Sequence, residues 1–138
     1  MTADRKGTFL NLFIDVTKAV TASLDLDEVF VLITEKITEI MAVDAATVRL
    51  LDPAGNKLVL RAARGLSDDY LNRGPIDAEL PTFKALKGEP IFIDNAQSDG
   101  RIAYAEATRA EGVRNILVVP IPIRGKVSGV LRLLAKAP

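Results

Sequence analysis

The stretch Gly112–Leu134, GVRNILVVPIPIRGKVSGVLRLL, decides how the rest of the chain is read. Asn115 to Ile123 is apolar on successive residues rather than alternate ones, which is the pattern of a strand covered on both faces. Arg124-Gly125-Lys126 makes a tight turn, and Val127 to Leu134 returns as an apolar partner strand. The first of these strands therefore belongs in the interior of a sheet. Pro120 and Pro122 have no N–H to give to a ladder, so one side of that strand is expected to be open or bulged.

Working back from this hairpin, Ala103 to Glu111 reads as a helix stopped by Gly112. Before it come the polar loop Asp94–Gly100 and a short strand, Ile91–Ile93. Residues 65–90 are irregular, punctuated by Gly65, Gly74, Pro75, Pro81, Gly88 and Pro90, with a short helix expected over Pro81–Lys87. A second hairpin precedes them. Its strands are Ala46–Leu51 and Lys57–Arg64, the latter alternating Leu58, Leu60 and Ala62 against Val59, Arg61 and Ala63, around the turn Asp52–Asn56. The stripe Leu26, Val29, Phe30, Ile33, Ile37, Ile40, Met41 predicts a helix over Leu26–Ala42, with Asp25 and Glu28 spaced as a capping box. Phe9 to Val20 predicts an earlier helix whose apolar surface is wide enough for two neighbours. The order of elements defines a single α+β domain over 1–138, with a central antiparallel sheet.

Composition narrows the function. The chain has 138 residues, and eighteen Lys and Arg balance eighteen Asp and Glu. No basic excess favours nucleic acid or an anionic membrane, and no run is long and apolar enough to span a bilayer. A soluble, cytoplasmic domain is expected. The chain has no His and no Cys. Catalysis by Ser-His-Asp or Cys-His sets, zinc held by His or Cys, and thiol redox chemistry are thereby excluded.

Taken together, the residues resemble the GAF domain, a small-molecule sensor module of signalling proteins. The resemblance rests on Gly112, Pro120, the turn at Gly125 and Gly129 in the last hairpin, and on Ala62-Ala63-Arg64-Gly65-Leu66. Leu86-Lys87-Gly88-Glu89-Pro90 and the spaced Asp94, Asp99 and Arg101 extend it. It implies an antiparallel sheet of five to six strands, with two long N-terminal helices on one face and a ligand pocket under loops and short helices on the other. The family's usual closing helix is missing after Leu134, so the chain is expected to be a piece of a larger sensor such as a histidine kinase. Bilin through Cys and haem through His or Cys lack their attachment residues. Cyclic nucleotide is disfavoured, because Asn56-Lys57 is present without a Phe and Asp-Glu at the family's offsets.

The expected pocket has apolar walls from Leu66, Tyr70, Leu80, Phe83, Phe92, Ile102 and Tyr104, and polar contacts from Arg109, Arg114 and Asn115. The competing reading makes the apolar set an ordinary minor core. Asn95 to Glu106 has partial calcium-loop spacing but few carboxylates, so a loop-structuring role for Asp94 and Asp99 is preferred. Lys126 and Ser128 are better explained by an exposed hairpin than by a catalytic dyad, and Asp68-Asp69 by a solvated loop or helix cap. The expected function is a non-catalytic sensor of an unidentified small molecule, with no metal or cofactor assigned and only Tyr70 or Tyr104 left as formal haem ligands. It would form a homodimer through the first helix and relay to an output domain. The alternative is a ligand-free dimerisation module.

Overall fold

The computed structural model describes residues 26–76 and 79–136. The helix expected over Phe9–Val20, its dimer surface, and Asp25 of the capping box lie outside the described residues. Helix α1 spans Leu26–Ile40. Strands β1 (Ala45–Leu51) and β2 (Leu58–Arg64) form the first hairpin. Short helices α2 (Asp68–Leu71) and α3 (Leu80–Leu86) follow, then β3 (Ile91–Ile93), α4 (Ala105–Glu111), β4 (Val113–Ile123) and β5 (Lys126–Lys136).

The five strands form one antiparallel sheet in the order β2-β1-β5-β4-β3. The final hairpin thus supplies two of the three inner strands, with β5 at the centre of the sheet. Strand β3 pairs only with Ile116–Val118, leaving that edge open beside Pro120 and Pro122, and the β4–β5 register shifts between Ile121 and Pro122. The two prolines sit where the ladder needs fewest donors.

Side-chain alternation divides the core between the two faces of the sheet. Ala46, Val48 and Leu50 of β1, Leu117, Val119 and Ile121 of β4, and Leu131 and Leu133 of β5 pack with Phe30, Ile37 and Met41 on one side. Ala45, Val113, Ile116, Val118, Val130 and Leu134 face the other side. There they meet Tyr70, Ala85, Ile93, Ala96 and Ile102 from a roof of short helices and loops.

Three expectations need correction. The β2 alternation is broken, because the register slips between Val48 and Arg49, pairing Val48 with Ala62 and Arg49 with Leu60. Arg61 is the extra residue of this bulge. Ala62 consequently joins the α1 side, while Leu58 packs on the roof side. Helix α4 starts two residues later than expected, because Tyr104 has φ 60° and cannot be helical. Asp68 and Asp69, expected as a solvated loop or helix cap, instead form the first turn of α2, and Ser67 caps it, its Oγ accepting from Tyr70 N–H at 3.2 Å.

Candidate functional site: a buried arginine cluster under the roof

The roof-side face of the sheet carries charge where apolar side chains are the norm. Thr47 of β1 lies directly across from Arg132 of β5, and Arg49 follows two residues along on the same face. Arg49 Nη1 donates to Thr47 Oγ1 at 2.9 Å. Arg132 is 1% exposed, and its Nη1 donates to Glu79 Oε1 at 2.9 Å. Its Nε and Nη2 are also buried, and neither has a hydrogen-bond partner. Thr82 Oγ1, on the buried side of α3, is likewise unpartnered.

Glu79 stands at the N-cap of α3 but makes no side-chain cap bond. Its Oε2 instead accepts from the Ala103 N–H at 2.9 Å. One buried carboxylate therefore joins the start of α3, the approach to α4 and the central strand. Arg73 Nη1 donates to the Tyr70 carbonyl at 2.7 Å, and its guanidinium lies 3.8 Å from the centre of the Tyr70 ring.

Charge in this layer is unbalanced. Glu79 pairs with Arg132 alone, while Arg49 and Arg73 lie close enough to feel its charge and one another's. Burial and then the neighbouring charges of Arg132 and Arg73 pull the Arg49 guanidinium down to about 10, well below the ordinary arginine range. Arg73 is lowered in the same way, first by burial. A buried ion pair must regain several kcal/mol of lost hydration per ion, and an orphaned guanidinium edge raises that cost.

Two clefts of about 400 Å³ and 410 Å³ share Tyr104 as a wall. Asp69, Arg73 and Glu106 line the first; Pro75, Glu79, Leu80, Arg101 and Ile102 line the second. Tyr104 itself is pinned by its hydroxyl, which donates to the Pro75 carbonyl at 2.6 Å. The second cleft reaches Glu79 and, through it, the ion pair with Arg132.

The expected pocket residues separate in the structure. Tyr70 and Ile102 are buried in the roof-side core, with Leu66 packed against it. Leu80 and Tyr104 line the clefts, yet both are exposed, as are Phe83 and Phe92. Arg109 and Arg114 are on the surface, and the Asn115 amide donates to the Asp94 carbonyl. These three polar residues line neither cleft. Asp99 uses both carboxylate oxygens on Arg101, and Ser128 Oγ donates to the Lys126 carbonyl at 3.0 Å.

The inward-facing Arg49, Arg132, Glu79 and Thr82 were not anticipated. The available signal was an arginine in the middle of each of two apolar strands, AATVRLL and VLRLL. Chemically, the arrangement offers fixed hydrogen-bond donors to an anion.

A family model described as GAF domain matches residues 23–138, and the chain belongs to that family. A domain described as part of a two-component sensor histidine kinase from Sinorhizobium meliloti is 25% identical, with a TM-score of 0.69 over 84% of this chain and 76% of that one. The GAF domain of an Acinetobacter phosphoenolpyruvate-protein phosphotransferase is 23% identical, with a TM-score of 0.67 over 100% of this chain and 81% of that one. Residues 122 to 287 of a methyl-accepting chemotaxis protein are 22% identical, with a TM-score of 0.62 over 86% and 77% of the two chains. No curated protein matches the sequence. No helix among the described residues is long and apolar enough to cross a membrane.

Proposed function

We propose that this GAF domain is a non-catalytic sensor that binds a small molecule between the sheet and the α2–α4 roof. The observation that carries the reading is the asymmetry of the two faces. One is sealed by a 15-residue helix over an apolar core. The other is roofed by helices of four to seven residues enclosing charged groups. Short helices contribute little stability of their own and suit a region that rearranges around a ligand. The family resemblance and the likeness to a sensor-kinase domain support a signalling role. The output is a change in how the domain packs against a neighbouring domain or a second copy, within a cytoplasmic signalling protein. Its size is limited by the ligand's difference in affinity for the two arrangements.

The test is native mass spectrometry of the purified chain, followed by thermal unfolding with nucleotides, amino acids, organic acids and neutral aromatics. Saturating ligand, at 100 times its dissociation constant, is expected to stabilise the fold by about 2.7 kcal/mol. A clean unliganded mass with no shift across the panel, together with a tight dimer, would replace the sensor by a dimerisation module.

A further inference from the structure

Arg132 presents a half-used guanidinium. Nη1 is engaged by Glu79, while Nε and Nη2, which form the side-on fork of the group, have no partner although the residue is 1% exposed. That fork matches the two oxygens of a carboxylate. The same chain shows it filled elsewhere: Arg101 Nε and Nη2 donate to the two oxygens of Asp99 at 3.0 and 2.7 Å. At Arg101 the pair is exposed and gains little. At Arg132 the same edge is buried without a partner, where an unmade charged hydrogen bond is most costly.

The surroundings favour a negative guest. Arg49 is bracketed to the same sheet face through Thr47, the residue directly opposite Arg132. Thr82 Oγ1, on the helix covering this part of the sheet, is another buried group without a partner. The cleft lined by Glu79, Leu80 and Ile102 reaches Glu79, the partner of Arg132, though not Arg132 itself. The internal anion, Glu79, is already divided between Arg132 and the Ala103 amide, so it leaves the fork unfilled.

We infer that Arg132 is the anchor for the carboxylate of a small organic acid, received on its Nε/Nη2 edge with Arg49 supplying a second positive charge. This rests on the sensor reading above and names the chemical class of its ligand. Glu79 holds the other nitrogen of Arg132 and sits beside the guest as a like charge. Arrival of the acid therefore strains the Glu79–Ala103 tether between α3 and α4, and binding is read out as roof movement.

The experiment uses the full chain with sodium benzoate, succinate and acetate, each against sodium chloride at equal ionic strength. Benzamide and succinamide are the uncharged controls, and inorganic phosphate is the second anion. At least one carboxylate is expected to raise the unfolding midpoint saturably, by roughly 5–10 °C at 100 times its dissociation constant. The matched amide should leave it unmoved. Arg132→Lys keeps the charge beside Glu79 but lacks the fork, and should abolish the response. Glu79→Gln removes the adjacent like charge and should tighten carboxylate binding roughly tenfold. That second variant decides the matter if Arg132→Lys does not fold. Phosphate acting at lower concentration than every carboxylate would overturn the carboxylate assignment in favour of a phosphorylated ligand. Equal responses to acid and amide, or no response in either the wild type or Glu79→Gln, would overturn the anion site. A neutral molecule that binds equally well to Arg132→Lys would remove this inference and leave the sensor reading standing.

Discussion

At the scale of single residues, two positions show how little tolerance the sheet and its loops have. A Cβ on Gly129 would lie 2.2 Å from the Arg49 carbonyl oxygen and 3.0 Å from the Leu50 Cα. Both are backbone atoms of the paired strand and cannot swing aside. Gly129→Ala is therefore expected to push β1 from β5 and cost about 3 kcal/mol, measured by urea unfolding. Because Arg49 belongs to the displaced segment, the same variant should also weaken any ligand held there. Asp99 illustrates a different dependence. The Arg101 side chain, then the Arg101 N–H, holds its carboxyl at about 2, against an ordinary value of 3.8. A depressed carboxylate stabilises the fold above its unfolded value, and that contribution is lost as pH falls from 3.8 towards 2. An NMR titration should place its midpoint near 2, and Arg101→Gln should return it towards 3.8.

At the scale of elements, helix α1 holds the sealed face through a few fully buried side chains. Phe30 is completely buried, and the Arg61 guanidinium lies 5.9 Å from the centre of its ring. Phe30→Ala should cost 3–5 kcal/mol, about that of a typical large cavity, and guanidinium unfolding would measure it. This helix and the final hairpin were legible in the sequence because periodicity reports burial directly: a stripe every three to four residues, or an unbroken apolar run. The β2 bulge was not legible. Inserting Arg61 changes which neighbours are faced without altering composition, and only the pairing of Val48 with Ala62 and Arg49 with Leu60 exposes it. The candidate site was legible only in its location. Irregularity marked residues 65–90 as a roof, but apolar character selected Phe83 and Phe92, which are exposed. The buried charges were hidden because Glu79 meets Arg132 across 53 residues. No local pattern encodes such a pair. The inward parity of Arg49 and Arg132 on their strands was the available clue.

At the scale of the whole molecule, the sheet is a partition between a half sealed by one long helix and a half roofed by short helices and loops. Strand β5 lies at its centre, with Leu131 and Leu133 in the α1-side core and Arg132 between them on the roof side. Beside its apolar core against the sheet, the roof is held by a few polar links: Tyr104 to Pro75, Glu79 to Ala103 and Arg132, and Ser67 to Glu111. Such links break separately from the sheet ladder, so the roof should open without global unfolding. Native-state hydrogen exchange tests this. The amides of Leu71, Phe83 and Thr108, which donate to the N-cap carbonyls of Ser67, Glu79 and Tyr104, should exchange through openings of markedly lower free energy than those of Leu131 and Leu133. A bound acid that anchors on Arg132 should slow the roof amides selectively while leaving the β5 amides near the global limit. Exchange of roof and β5 amides in one cooperative unit would show that the roof does not open separately from the sheet. A ligand would then have no separate element to move, and any signal would have to pass through the sheet to α1.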